Sequence, residues 1–265
     1  MSQLDDVLLL CEDIDQGTTL LLLEAARAAL QTELVFARRV TIRASGSKAG
    51  LPSAIDANRR VNPRTFAVRD RDFLLAPLLA TQRAAAFANT DRKPWPLKRH
   101  CIESYLTGPE LIAEALELHD AEAVLDELAT KREWLDACRA TGDRLAYEGR
   151  RIRPKFQLAA ASEGEAIAIV EAEFAKFGQA ISGLAAMKNP AAALREFHDD
   201  FVADGPLRAR VDGKELLGAL ESRLGPAAHA RERLLSHAGK NPPKHLVDEL
   251  RELLTGIENQ VTNFV

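Results

Sequence analysis

The apolar run Val7-Leu8-Leu9-Leu10-Cys11, which is bounded by acidic residues on both sides, decides the fold class. A run this short without polar alternation is typical of a strand that is buried on both faces. The next segment, Thr18 to Leu30, is apolar nearly all round, which predicts a helix packed between a sheet and further protein. Together the two elements indicate an α/β protein.

The segments that follow continue the alternation of strand and helix. Val35 to Ile42 predicts a second strand, Leu51 to Arg60 predicts a helix, and Thr65 to Val68 predicts a third strand. A strand–helix–strand–helix–strand order implies parallel pairing with right-handed crossovers. We therefore expect residues 1–106 to form an α/β domain around a parallel sheet.

From Thr107 onward the pattern is helical, because apolar residues recur three and four positions apart. The predicted helices are Pro109 to Leu118, Ala121 to Ala140, Glu163 to Phe177, Ala191 to Val202 and Lys244 to Val261. Arg151 to Gln157 is compatible with a strand or with an irregular link. We therefore expect residues 107–265 to form a mainly helical C-terminal region.

The composition is that of a folded chain with an uneven charge distribution. Of 265 residues, 46% are hydrophobic and 28% are charged, which excludes disorder throughout, a collagen-like fibre and a disulfide-built miniprotein. The net charge is −4, but residues 36–100 contain 14 Lys and Arg and four Asp, a local charge of +10. Such a segment predicts a surface for phosphates or a polyanion, or a set of solvated helix faces, and charge alone does not decide between them.

Cysteine usage and the first residues bear on the compartment. The three cysteines are widely spaced and form no CxxC motif, which favours a reducing compartment and no zinc finger. Residues 1–6 are polar and acidic, so we expect no secretory signal. No uncharged run approaches the ~18 residues of a membrane span. We expect a cytoplasmic protein with no membrane partner.

Acidic residues follow two of the predicted strands. Glu12 comes directly after the first strand, with Asp15 nearby, and Asp70 and Asp72 come after the third. In parallel sheets, ligands bind outside the carboxyl ends of the strands, so these carboxylates are expected to meet at one edge. Two aspartates spaced two apart at a strand end project to the same side. Clustered carboxylates of this kind predict a site for Mg²⁺ or Mn²⁺, although an exposed acidic turn balanced by arginines remains the alternative.

These motifs resemble the TOPRIM domain, which topoisomerases, bacterial primases and overcoming-lysogenization-defect (OLD) nucleases share. The spacing of Glu12 and Asp15 is similar to the Glu-Gly-x-x-Asp site of the OLD-like branch, with Asp13 in place of its glycine. The segment His100-Cys101-Ile102-Glu103 resembles an HxxE motif in a TOPRIM-like family, formerly of unknown function, that accompanies ABC-type ATPases in phage defence. Residues 211–217, which contain Gly213-Lys214, are similar to a Gly-Lys segment of that family.

The resemblance implies a role for each matching acidic residue. Glu12 is expected to be the general acid/base of a Mg²⁺-dependent (or Mn²⁺-dependent) nuclease, and Asp70 and Asp72 are expected to be metal ligands. Asp15 would assist at the same metal or a second one. Glu103 is expected either to bind metal or to form a structural hydrogen-bond pair with His100. The expected partners are DNA or RNA, a separately encoded ABC-type ATPase and a second copy of the chain.

Basic residues offer candidate contacts to phosphate. Lys48 lies in the Gly46 to Gly50 loop, Arg71 lies between the two aspartates, and Lys98 and Arg99 follow Trp95. A phosphate role for Lys48 competes with an ordinary flexible loop. Basic residues beside an exposed Trp are able to hold a nucleic-acid backbone and stack a base, but the Trp is equally compatible with a packing anchor. Lys214 is read either as a phosphate contact, by analogy with the family, or as a solvated lysine.

Two other classes of function are compatible with these motifs. The first is a non-catalytic TOPRIM-like regulatory or interaction subunit that senses metal or nucleotide, which Asp13 in place of glycine and the overall acidity favour. The second is a nucleotide-sugar transferase, because a strand followed by Asp-Arg-Asp also occurs there. The absence of a recognisable acceptor-side motif disfavours the second class.

Overall fold

The computed structural model describes residues 6–13, 17–32, 39–88, 93–147, 160, 162–180, 189–203 and 205–262. The described strands are β1 (Val7–Cys11), β2 (Val40–Ala44), β3 (Thr65–Arg69) and β4 (Trp95–Pro96). They form a parallel sheet of order β2-β1-β3-β4. The α/β class and the burial of β1 are confirmed, and β1 lies between β2 and β3 in the sheet. Of the predicted second strand, residues 35–38 lie outside the described residues, as do residues 151–157.

The described α-helices account for most of the chain after the sheet. They are α1 (Thr18–Thr32), α2 (Leu51–Arg59), α3 (Ala76–Ala85), α4 (Pro109–Leu116), α5 (Ala121–Thr130), α6 (Glu133–Tyr147), α7 (Glu163–Ala180), α8 (Pro190–Ala203), α9 (Gly213–Leu224), α10 (Ala230–Lys240) and α11 (Lys244–Thr262). Short 3-10 helices occupy Lys48–Gly50, Ile102–Tyr105, Leu207–Ala209 and Pro226–Ala228. None of the described helices combines the length and the apolar character of a transmembrane segment.

The predicted helix over residues 121–140 is two helices in the structure. α5 ends at Thr130 and α6 begins at Glu133. Between them, the N–H groups of Lys131 and Arg132 donate to carbonyls of the last turn of α5, at 3.3 and 2.9 Å. The apolar periodicity continues across this break, so the period alone does not reveal it.

The sheet has two unequal faces because successive side chains of a strand point to opposite sides. Leu9 and Cys11 of β1 belong to the largest hydrophobic core, which also contains side chains of α1, α4, α5 and α9 to α11. Leu8 and Leu10 face a small cluster that α2 closes with Leu51 and Ile55. Helices therefore cover both faces, which agrees with the apolar run of β1.

The cores do not divide at the predicted domain boundary. The largest core contains residues from Val7 to Ile257 and so takes side chains from both sides of residue 107. A second core joins α6, α7 and α8, and Phe73 and Leu75 pack against it from the loop after β3. The helices α4, α5 and α9 to α11 thus complete the core of the α/β part of the chain, whereas α6 to α8 form the second core.

Candidate active site

Glu12 and Asp70 meet at the carboxyl edge of the sheet, as the sequence predicts. β1 ends at Cys11 and β3 ends at Arg69. The two strands are parallel neighbours in which Cys11 pairs with Val68, so the residues that follow them leave the sheet side by side. Burial and the charge of Glu103 raise the pKa of the Asp70 carboxyl, and the charge of the nearby Glu12 raises it further.

Glu103 joins these two carboxylates from the 3-10 helix Ile102–Tyr105. The backbone N–H of Ile102 donates to Oδ1 of Asp70 at 2.9 Å, which holds this helix against the end of β3. Glu103 is only 4% exposed. Burial, the charge of Glu103 and then the charge of Glu12 raise the pKa of Asp70 to about 7, although the Ile102 N–H and Lys214 act against that rise.

Two cations face Glu103 from helices that lie far along the chain. Nζ of Lys214, in the first turn of α9, lies 3.8 Å from Oε1 of Glu103. Arg231 in α10 reaches the same oxygen at 3.4 Å. Burial by itself would lower the pKa of the Lys214 ammonium, but the charges of Glu103 and Asp70 outweigh it and raise that pKa above its ordinary value. Lys214 is therefore part of the cluster, whereas no motif in the sequence indicated Arg231.

A glycine at the start of α9 allows this approach. A Cβ on Gly213 would lie 2.4 Å from the backbone nitrogen of Ser104 and 2.7 Å from its Cα. The backbone of α9 therefore packs directly on the 3-10 helix that carries Glu103, and no side chain fits between them. The Gly-Lys pair of the sequence motif thus has a steric reason, since the glycine brings the lysine to the carboxylates.

The donor atoms of this cluster suit a hard divalent cation. Oε2 of Glu12 and Oε2 of Glu103 are both buried, and neither has a hydrogen-bond partner in the part of the chain that the structure describes. Buried carboxylate oxygens without partners are costly, and oxygen ligands select Mg²⁺ or Mn²⁺. Among the described residues, however, no three His, Cys, Asp or Glu side chains are already grouped so that they could hold one ion. The chemistry of the donors fits the metal, while the expected ligand Asp15 lies outside the described residues.

Asp72 occupies a different position from the one its spacing suggests. β3 ends at Arg69, so the alternation of a strand does not extend to the Asp70–Asp72 pair. Asp72 has φ of 52°, in the left-handed region, and its carboxylate lies 3.9 Å from the guanidinium of Arg69. Strand alternation therefore does not place the side chain of Asp72 on the same side as that of Asp70.

Asp13, where the resembling motif has glycine, caps the first turn of α1. Its Oδ2 accepts the N–H of Leu20 at 3.1 Å. A Cβ on Gly17 would lie 1.8 Å from Asp13 Oδ1, so the small residue makes room for the cap. The described non-glycine residues with positive φ do not include Asp13. The turn after β1 thus accommodates an aspartate without left-handed strain.

The structure gives Arg71 a structural position in place of the expected phosphate contact. Its side chain is 1% exposed. Nε donates to the carbonyl of Leu74 at 2.7 Å and one terminal nitrogen donates to the carbonyl of Lys98 at 2.8 Å. The other terminal nitrogen lies 3.6 Å from Asp200 of α8. A guanidinium enclosed in this way has no face for a nucleic acid.

The other predicted phosphate contacts also have intramolecular partners. Nζ of Lys98 lies 2.9 Å from Glu252 of α11, and Arg99 donates to the carbonyl of Ser104 at 2.6 Å. Trp95 is 2% exposed, so it is a packing anchor and not a stacking platform. The backbone of Lys48 lies in a 3-10 helix, while its side chain lies outside the described part of the structure.

Some basic residues of the 36–100 segment lie away from the carboxylates. Arg39 and Arg64 precede β2 and β3 and so lie at the amino edge of the parallel sheet, as does Arg60 at the end of α2. The candidate site lies at the opposite edge. The local charge of +10 is therefore spread over both ends of the sheet, and the basic segment does not form one surface around the site.

His100 packs against Phe73, and its backbone connects the segment before Glu103 to neighbouring parts of the chain. Its ring lies 4.6 Å, centroid to centroid, from Phe73. Its backbone N–H donates to the carbonyl of Ala209 at 3.3 Å, and its carbonyl accepts the N–H of Asp72 at 2.7 Å. His100 thus ties the segment that precedes Glu103 to the loop after β3 and to the chain before α9.

Comparison of the chain with protein-family models, with curated proteins and with solved structures gave no match in any of the three. The fold and the site define an α/β protein with a parallel sheet, helices on both of its faces and an acidic cluster at the carboxyl edge.

Proposed function

We propose that the chain is a TOPRIM-like, Mg²⁺-dependent nuclease or nuclease subunit that hydrolyses phosphodiesters of DNA or RNA. The observation that carries the proposal is the convergence of Glu12, Asp70 and Glu103, from three separate elements, beside Lys214. Carboxylates and a lysine at the carboxyl edge of a parallel sheet are the groups that phosphoryl transfer requires, since the reaction needs a cation, a proton acceptor and charge stabilisation.

Each residue has a distinct role in this proposal. Asp70 and Glu103 would hold Mg²⁺ or Mn²⁺, with Asp15 as a further candidate. When bound, such an ion neutralises charge on the phosphate and lowers the pKa of a water molecule. Glu12, with its buried Oε2, would accept a proton from the attacking water. Lys214 would bind a phosphate oxygen, because its ammonium stays charged in this acidic surrounding.

The direct test compares cleavage by the wild type with cleavage by Glu12→Gln and Asp70→Asn. Plasmid, single-stranded DNA and tRNA are each incubated with Mg²⁺ or Mn²⁺. We expect each variant to lose at least about 100-fold in cleavage rate. The control is Asp126→Asn, which should cleave like the wild type, because Asp126 is an exposed residue that pairs with Arg208 at the surface. Equal cleavage by all four proteins would mean a contaminating nuclease or a different site.

A second candidate function is a regulatory subunit that binds metal or nucleotide without cleavage. Glu103 already pairs with two cations, and the described residues contain no preassembled group of three metal ligands. Such a subunit would show a metal-dependent rise in melting temperature but no cleavage, either alone or with its partner. The expected partner is a separately encoded ABC-type ATPase, so cleavage is measured with and without the ATPase from a neighbouring gene.

A further inference from the structure

The first turn of α9, which carries Lys214, is held in place by a buried carboxylate of α6. Asp136 is 0% exposed. Its Oδ2 accepts the backbone N–H of Asp212 at 3.0 Å. Asp212 is the N-cap of α9, and its own Oδ1 accepts the N–H of Lys214 at 3.0 Å. A chain of two hydrogen bonds therefore connects α6 to the backbone of Lys214.

Two arginines beside Asp136 also contact this first turn. Arg132 and Arg139 lie 3.5 and 3.2 Å from Oδ1 of Asp136. Both also reach Glu215, the residue after Lys214, at 3.6 and 3.7 Å. These contacts surround the start of α9. We call the residues that make them the α9 clamp: Arg132, Asp136, Arg139, Asp212 and Glu215.

The start of α9 does not require Asp136 or the two arginines for helix capping. Asp212 already caps the helix by accepting from Lys214 and Glu215, which is the usual way of satisfying the first N–H groups. Burial raises the pKa of the Asp136 carboxyl, and the two arginines and the Asp212 N–H oppose that rise. A buried carboxylate with this many partners is costly to place, and what it adds to a capped helix is a defined position relative to α6.

That position matters for the candidate site because α9 touches Glu103 directly. A Cβ on Gly213 would meet the backbone of Ser104, and Lys214 lies 3.8 Å from Glu103. α6 belongs to the second core, together with α7 and α8. The α9 clamp is therefore a polar connection between that core and the lysine of the site.

We propose that Asp136 is a positioning residue that fixes Lys214 beside Glu103 and Asp70, acting through the N-cap of α9. The inference rests on the proposed function in one respect, namely that Lys214 binds a phosphate oxygen of the substrate. Asp136 touches neither substrate nor metal, so its effect is exerted through Lys214.

The test is a double-mutant cycle between Asp136→Asn and Lys214→Ala. Asparagine is isosteric and keeps an acceptor for the Asp212 N–H, but it removes the charge that holds the two arginines. Glu215→Gln, at a half-exposed position, weakens the same clamp from the surface and serves if the buried variant does not fold. The matched control is Glu127→Gln, which removes the 2.6 Å ion pair to Arg223 at the far end of α9.

Three readouts separate positioning from general stability. They are kcat/KM with Mn²⁺, the affinity for a fluorescent oligonucleotide in Ca²⁺ measured by anisotropy, and hydrogen exchange at the amides of residues 212–215. We expect Asp136→Asn to lower kcat/KM about 10- to 100-fold, to weaken oligonucleotide binding, and to accelerate exchange at these amides. In the Lys214→Ala background the same substitution should have little further effect on either functional readout. Glu127→Gln should leave all three unchanged.

The outcomes distinguish this inference from the proposed function. Additive effects of Asp136→Asn and Lys214→Ala on binding and cleavage, with an active wild type, would overturn the positioning role and leave the nuclease intact. Unaltered exchange at residues 212–215 in both clamp variants would also overturn it. Absence of cleavage by the wild type both alone and with the ATPase, with oligonucleotide binding that still shows the non-additive pattern, would reject the nuclease and retain the positioning role.

Discussion

Replacing Asp70 with asparagine should stabilise the protein at neutral and alkaline pH while removing metal-dependent cleavage. Asp70 Oδ1 accepts the N–H of Ile102, and an asparagine carbonyl is able to keep that bond. What the substitution removes is a negative charge that lies close to Glu12 and Glu103. The substitution therefore separates two effects of the carboxylates: their mutual repulsion, which lowers the unfolding free energy, and their role in cleavage.

The sign and the size follow from the pKa of Asp70, which burial and the neighbouring carboxylates raise from 3.8 to about 7. The folded chain holds this proton more tightly than the unfolded chain. The stability that the protonated Asp70 contributes is thus fully present below pH 3.8 and is lost as the pH rises to about 7. A shift of this size is worth about 4 kcal/mol, and screening by water at a partly buried position reduces the expected gain in Asp70→Asn to about 2 kcal/mol.

The assay is urea unfolding followed by circular dichroism, for wild type and Asp70→Asn, at about pH 5 and pH 8. We expect the stability advantage of Asp70→Asn to be larger at the higher pH, because more of the penalty has accumulated there. Saturating Mg²⁺ should stabilise the wild type, by about 2.7 kcal/mol at 100 times its Kd, and the variant much less. Asp126→Asn is the control and should show neither effect. A variant that is less stable than the wild type at pH 8, or equally stabilised by Mg²⁺, would refute the assignment of Asp70 to a shared acidic site.

Three further predictions concern the residues around the site. Asp13→Gly, which restores the residue of the resembling motif, should lower the unfolding free energy by about 1 kcal/mol through loss of the α1 cap and leave Mn²⁺ affinity unchanged in calorimetry; a tighter Mn²⁺ site would contradict this. Gly213→Ala should cost about 2 kcal/mol or more and reduce cleavage, because the new Cβ meets the backbone of Ser104; a variant with wild-type melting temperature and rate would show that the two segments separate freely. Glu249→Ala should cost about 3 kcal/mol, because the buried Tyr105 hydroxyl loses its acceptor at 2.5 Å, whereas Glu249→Gln should cost less; equal losses would contradict the hydrogen-bond argument.

The parts of the fold that follow from local pattern were predictable. The apolar run Val7–Cys11 and the alternation of strands and helices require only neighbouring residues and the general rule for parallel sheets. The meeting of Glu12 and Asp70 follows from the same rule, because both residues leave adjacent strands at the carboxyl edge. Asp72 does not follow it, because its position depends on a turn whose left-handed φ the spacing of two aspartates does not reveal.

What only the tertiary structure decided is which distant charges reach this edge. Lys214 and Arg231 arrive there because α9 and α10 pack their apolar faces into the same core as the sheet, and Arg231 is 128 residues away from Glu103 along the chain. Hydrophobic periodicity determines that a helix forms and which face it buries. It does not determine which neighbour that face meets, and so it leaves open where the polar residues at the ends of the helix are placed. The meeting of Glu12 and Asp70 was therefore predictable from the sequence. The positions of Lys214, Arg231 and the α9 clamp depend on long-range packing.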